Sequence, residues 1–179
     1  MHTLRVAIAV IWVVFLIGWG VAAASANESV GPRRGVVRSF TVLAAFLLIR
    51  FGHFGGLSSR SPVLGVIGAA LFAAGIAVAV WARVYLGRNW GMPMTQRAEP
   101  ELITSGPYAR VRHPIYTGIL LALLGSSIAI NVIGIVLVLA LGANFYYSAL
   151  VEERNMAASF PSEYPEYRAR TKMMLPFLL

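Results

Sequence analysis

Leu102 to Tyr116 reads L-I-T-S-G-P-Y-A-R-V-R-H-P-I-Y, and this polar, arginine-rich segment runs straight into a long apolar stretch that ends at Glu152-Glu153. A hydrophobic hairpin that begins at Arg-His-Pro and finishes at Glu-Glu returns both groups to the same membrane face. Ionisable residues gathered at the mouth of a membrane bundle mark a functional site rather than a packing element. The chemistry of the chain is expected there.

Composition supports the membrane reading. Of the 179 residues, 58% are hydrophobic and only 12% are charged, against roughly 25% charged in a soluble domain, and the mean hydropathy is +0.73. The expected fold is all-α: a polytopic membrane helical bundle of about five transmembrane helices. Residues 1–179 form a single integral membrane domain, with three N-terminal spans in 1–82 and an interfacial loop, helical hairpin and C-terminal tail in 83–179. The chain has no cysteine, which removes disulfides, thiolate metal sites and cysteine nucleophiles. His2, His53 and His113 fall in no metal-ligand spacing, so no metal site is expected. The formal charge of +8 sits at the ends of apolar segments, where arginines meet lipid headgroups. Membrane lipids, and no nucleic acid, are the partners this pattern implies.

Five apolar segments can be read. Val6 to Ala26 is uncharged and long enough for a roughly 30 Å core. Val36 to Phe51 is a short span whose Arg38 and Arg50 snorkel to opposite interfaces. Val63 to Ala82 is the third, with Trp81 and Tyr85 in an interfacial belt. Ile115 to Ile130 and Val132 to Val151 are hinged at Asn131 and pack as an antiparallel pair. Gly65, Gly68 and Gly75 offer small-residue faces for close helix packing. Ala24-Ser25-Ala26 has the look of a signal cleavage site, but the apolar run exceeds a signal core of about 7–15 residues, so a retained span is expected.

In this arrangement Arg33, Arg34, Arg38, Arg83, Arg88, Arg97, Arg110, Arg112, Arg154, Arg168, Arg170 and Lys172 share one side, and Arg5, Arg50 and Arg60 the other. That bias puts the N-terminus outside and the C-terminus and active site in the cytoplasm.

The segment from Arg83 to Pro114 is too long for a simple turn, and such loops tend to be functional. Pro93, Pro100, Gly106 and Pro107 break helix, leaving short interfacial pieces that present Tyr108, Arg110, Arg112 and His113. Pro114 fits the first turn of the fourth helix. Backbone N–H groups at that helix start, with nearby arginines, suit an anionic group, whether a ligand carboxylate or a lipid phosphate. Glu152 and Glu153 are read as emerging at the end of the fifth span, where carboxylates are mildly unfavourable without a partner. The tail from Phe160 to Leu179 can fold Tyr164, Tyr167, Arg168 and Arg170 back over the same mouth, with Pro176-Phe177 returning to lipid.

The order L-x-T-x-G-P-Y-x-x-x-R-H-P-x-Y-x-G, apolar hairpin, E-E, then F-x-x-E-Y-x-x-Y-x-x-R-x-x-x-x-x-P-F resembles the isoprenylcysteine carboxyl methyltransferase family. That family lies within a membrane methyltransferase superfamily that also includes phospholipid methyltransferases. The likeness covers about half the chain, from Leu86-Gly87-Arg88-Asn89-Trp90 to the C-terminus. It departs where Pro100-Glu101 precede Leu102, a place where several relatives carry histidine. The resemblance implies a transmembrane enzyme that takes S-adenosyl-L-methionine from the cytosol, releases S-adenosyl-L-homocysteine, and accepts a lipophilic small-molecule or prenylated substrate. It maps cofactor binding onto Tyr108, Arg112, His113, Pro114, Tyr116, Glu152, Glu153 and Tyr164. Catalytic roles fall to Arg170, Arg168 and Glu153.

Methyl transfer from a sulfonium needs alignment and a desolvated acceptor rather than a metal or a protein nucleophile. The rival readings are an NADPH-dependent sterol or steroid reductase, in which the motif commonly reads His-Pro-Asn-Tyr, and a non-catalytic lipid-binding bundle.

Overall fold

The computed structural model of the chain describes residues 2–25, 29–30, 61–87, 90, 96–97, 101–131 and 134–174. Among these there are five α-helices: α1 (His2–Ser25), α2 (Pro62–Leu86), α3 (Pro114–Ile130), α4 (Gly134–Ser159) and α5 (Tyr164–Arg170). A short 3₁₀ turn spans Gly106–Ala109. Ser29–Val30 pairs antiparallel with Gln96–Arg97, a two-residue ladder that leaves the architecture all-helical.

Three helices are long and apolar enough to cross a membrane, and α3 is a shorter apolar helix. Their outward-facing residues are mostly apolar, as a bilayer requires. On α1, Val10, Val13, Val14, Ile17 and Val21 point outward, while Ile8, Trp12 and Phe15 face the bundle. The helix starts follow local chemistry. Ser61 caps α2, accepting from the Leu64 amide, and Pro62 occupies the first turn. Pro114 does the same for α3, where its missing N–H leaves nothing unsatisfied.

The closest backbone approach is between α2 and α3. Gly68 faces Gly125 and Gly75 faces Gly118, an antiparallel match of two glycine pairs with the same seven-residue spacing. A Cβ on Gly68 would lie 2.6 Å from the Gly125 carbonyl oxygen, and one on Gly75 equally close to that of Gly118. Small residues allow such contact where burying apolar side chains cannot drive helices together. The glycine faces read from sequence on the third span are therefore real, and their partner is the fourth.

The α3–α4 hairpin is also antiparallel, turning through Asn131 with the Gly134 amide on the Asn131 carbonyl oxygen. Two boundaries differ from the sequence expectation. α2 runs on to Leu86, and α4 continues to Ser159, six residues beyond Glu153. The glutamates thus sit inside a helix, away from the unfavourable partial charge at its C-terminus.

The helix α1 runs parallel to α2: Trp12 packs on Phe72, and Trp19, nearly two turns from the end of α1, packs on Trp90, which follows α2. The second span read from the sequence, Val36–Phe51, lies outside the described residues, as do His53, Arg33, Arg34, Arg38, Arg50, Arg60, Arg88 and Pro176-Phe177. Trp12 Nε1 also donates to Ser126 Oγ at 3.0 Å, fastening α1 to α3 inside the core.

Candidate functional site

Four pieces of chain meet at one end of the bundle: residues 106–113, the start of α3, the last third of α4, and the tail after α4. Gly106 begins the first piece with φ +59, and a Cβ there would strike the Tyr85 ring. Only glycine fits both conditions. The turn then buries Pro107 and Tyr108. The Tyr108 hydroxyl donates to the Ala82 carbonyl oxygen at 3.4 Å, and its own carbonyl accepts from the Tyr167 hydroxyl at 2.8 Å. Tyr108 therefore docks the segment onto α2 and receives the tail.

The tail lies alongside in strand-like register. The amides of Arg112 and His113 donate to the carbonyl oxygens of Lys172 and Met173 at 2.8 and 2.9 Å, and the Lys172 amide donates to Arg110 O at 3.1 Å. Thr117 Oγ1 adds a bond to Met174 O at 2.6 Å. The tail does fold back over the mouth, and it is stitched down mainly by backbone.

Within this frame Arg112 points inward. Its Nε lies 2.7 Å from Glu153 Oε1, both side chains being under one-tenth exposed, and its Nη1 donates to Thr171 O at 2.6 Å. His113 lies between the two carboxylates, Nδ1 3.4 Å from Glu152 Oε2 and Nε2 3.6 Å from Glu153 Oε1. The second distance is ionic contact rather than a hydrogen bond, and Nε2 is buried with no hydrogen-bond partner among the described residues. The Tyr116 hydroxyl donates to Glu152 Oε1. Its ring is sandwiched between His113 and Phe145, with centroids 5.5 and 4.5 Å away. Charges at this depth are tolerable because each is paired.

Burial pulls the His113 pKa down, but the two facing carboxylates, Glu152 and then Glu153, outweigh it and hold the imidazole above its ordinary 6.5. Burial pushes the Tyr108 and Tyr164 hydroxyls up, helped by Tyr167 and Glu153 respectively, and pushes Tyr167 up to about 12. All three remain protonated donors near neutral pH.

The structure thus gathers Arg112, His113, Pro114, Tyr116, Glu152 and Glu153 into one cluster, of which Glu152 is the most open at 25% exposed, with Tyr164 buried beside it against Tyr167 at 6.1 Å. Arg168 reaches its edge, Nε 3.6 Å from Glu153 Oε2, and is 62% exposed. Arg170 stands apart: it is 58% exposed and faces Glu166 at 3.7 Å, one turn back on α5. Arg112, one of the arginines expected near an anionic group, is paired here with Glu153 and Thr171. The sequence reading missed Thr171 and Thr117, whose only signal is a polar residue next to an arginine or after His-Pro. It also passed over Asn144, a polar residue in the middle of an apolar helix.

Residues 63–163 match the family described as phospholipid methyltransferase. The chain is 33% identical over 167 residues to the cobalt-zinc-cadmium resistance protein CzcN of Cupriavidus metallidurans, covering 89% of this chain and 70% of that protein. It is 32% identical over 115 residues to the nickel-cobalt-cadmium resistance protein NccN of Alcaligenes xylosoxydans xylosoxydans, covering 63% of this chain and 53% of the relative.

Proposed function

The chain belongs to the phospholipid methyltransferase family, a family of membrane methyltransferases, and on that premise we propose that it uses S-adenosylmethionine to methylate a lipophilic acceptor at the cytoplasmic face. The observation that carries the reading is the cluster in which Glu152 and Glu153 meet Arg112, His113 and Tyr116.

The residues present fit such a cofactor. Two carboxylates suit an amino group and ribose hydroxyls, and His113 Nε2 is a shielded polar atom with no hydrogen-bond partner among the described residues. When bound, the cofactor supplies a sulfonium methyl, to which an acceptor lone pair bonds as the carbon–sulfur pair returns to sulfur. The protein's part is alignment and exclusion of water. Arg112 fixes the Glu153 carboxylate, and the Tyr116 hydroxyl fixes that of Glu152. The Tyr116 ring, held between His113 and Phe145, walls the cluster off from the bundle interior. Tyr108 and Tyr164 complete the cofactor side. Arg168, at the edge of the cluster, and Arg170, free to swing from an exposed pair, orient the acceptor.

A prenylated cysteine carboxylate is the acceptor closest to the motif resemblance. Already ionised at neutral pH, it needs no general base. The names of the two relatives, which speak of resistance to cobalt, zinc, cadmium and nickel, leave the acceptor unassigned.

Titration calorimetry of the detergent-purified protein with S-adenosylmethionine, S-adenosylhomocysteine and NADPH tests the reading. Micromolar binding of the first two alone is expected. Binding of NADPH alone moves the chain to the reductases, and binding of none leaves a lipid-binding bundle.

A further inference from the structure

Asn144 lies near the middle of α4 and is 7% exposed. Neither its Nδ2 nor its Oδ1 has a hydrogen-bond partner among the described residues. A buried amide with both ends unsatisfied is costly in water-free surroundings, and each such group calls for an explanation. Packing does not supply one, because an apolar side chain of the same size would fill the space without that cost.

Its position does. Asn144, Ser148 and Glu152 recur every four residues and so share one stripe of α4, with the Ser148 hydroxyl bonded to the Asn144 carbonyl oxygen at 2.9 Å. The stripe climbs from the middle of α4 to the charged cluster. At 1.5 Å per residue, Asn144 lies about 12 Å below Glu152. The neighbouring Phe145 stacks on Tyr116, and the Tyr116 hydroxyl reaches Glu152. Tyr116 thus touches both the residue next to Asn144 and Glu152.

We infer that Asn144 is a binding residue for the body of the acceptor: its amide takes an uncharged hydrogen-bonding group, a hydroxyl, ester or amide, about 12 Å along α4 from the level of Glu152. An ion is disfavoured at this depth, since the cluster's charges are engaged with one another and none is left to compensate it. The inference deepens the methyl-transfer reading and rests on it. It adds a feature the acceptor must carry, a polar group set within its apolar portion.

The test compares thermal unfolding of the full chain in dodecylmaltoside, wild type against Asn144→Leu, with Asn144→Ala alongside in case the leucine variant does not fold. The probes are dodecan-1-ol and dodecane, which differ by one hydroxyl. Replacing an unsatisfied amide should raise the Tm of the ligand-free protein by a few degrees. Dodecan-1-ol should raise the wild-type Tm well beyond any effect of dodecane, and the variants should lose that difference. A lower Tm in both variants means the amide is a structural bond and overturns the assignment. So does a dodecan-1-ol response absent from the wild type, or equal in wild type and variants. S-adenosylmethionine affinity is measured separately on the same samples. Its absence with the Asn144 response intact sinks the methyl-transfer reading and leaves a lipid-binding residue.

Discussion

Arg112 and Glu153 form a buried ion pair, 2.7 Å from Nε to Oε1, and the same guanidinium holds the tail through Thr171 O at 2.6 Å. One side chain links the approach to α3, the interior of α4 and the segment after α5. Arginine suits this place because its planar fork reaches separate acceptors at once, which a lysine ammonium does less well.

Removing either partner strands the other in a buried position, so Arg112→Ala and Glu153→Ala should each cost about 3 kcal/mol of stability. The double variant should cost clearly less than the sum, with a coupling of about 2 kcal/mol. Reversible unfolding in detergent measures both. Additive losses would mean the two charges are solvated independently, against the geometry. Arg112→Lys should restore only part of the stability, because it recovers the charge without the second bond to the tail.

His113 gives the site a pH dependence whose sign can be worked out. Its folded pKa lies above the ordinary 6.5, with Glu152 and Glu153 prevailing over burial. Its contribution to stability is therefore complete below about pH 6.5 and disappears as pH rises through the folded value. The Tm of the wild type should fall across that interval relative to His113→Gln, which carries no titrating group. Parallel pH profiles for the two proteins would remove His113 from the account.

Much of this site was legible because charge is rare in so apolar a chain. Arg112, His113, Glu152 and Glu153 stand out, and a hairpin of nearly equal arms can only bring them together. The rest depends on register and on side-chain direction. Gly68 and Gly75 were visible as a small-residue face, as Gly118 and Gly125 could have been. That the two faces match antiparallel follows from topology, which no single segment contains. Arg170 faces Glu166 four residues earlier, a local exposed pair that lies outside the motif letters to which the arginine belongs. Asn144 was overlooked because one amide hardly changes the mean hydropathy of a span. Its significance lies in its missing partners, which only coordinates reveal.

The glycine register makes a sharp prediction. A side chain on Gly75 or Gly118 would meet the backbone of the opposing helix, which cannot yield as a flexible side chain can. Gly75→Val should cost about 3 kcal/mol or prevent folding altogether. Gly18→Ala, on α1 where nothing lies within 4 Å of the added carbon, should be neutral or stabilise by about 0.5 kcal/mol. The Tm values of the two variants in the same detergent decide it. Equal effects would mean that α2 and α3 do not pack through this seam.

Arg170 offers a separation between structure and chemistry. It is exposed, and its pair with Glu166 is a surface contact of a kind worth about 0–1 kcal/mol. Arg170→Ala should leave the Tm within a degree or two of wild type, and since it touches none of Arg112, His113 or Glu153, S-adenosylmethionine affinity should hold. If the arginine orients the acceptor, turnover falls while cofactor Kd does not, and the loss appears in kcat/KM. Arg168→Ala differs in one respect: its Nε stands 3.6 Å from Glu153, so it should weaken cofactor binding as well as turnover. Calorimetry and methyl-transfer rates on the two variants distinguish the roles. A loss of cofactor affinity in Arg170→Ala with turnover per bound cofactor unchanged would exchange the assignments of the two arginines.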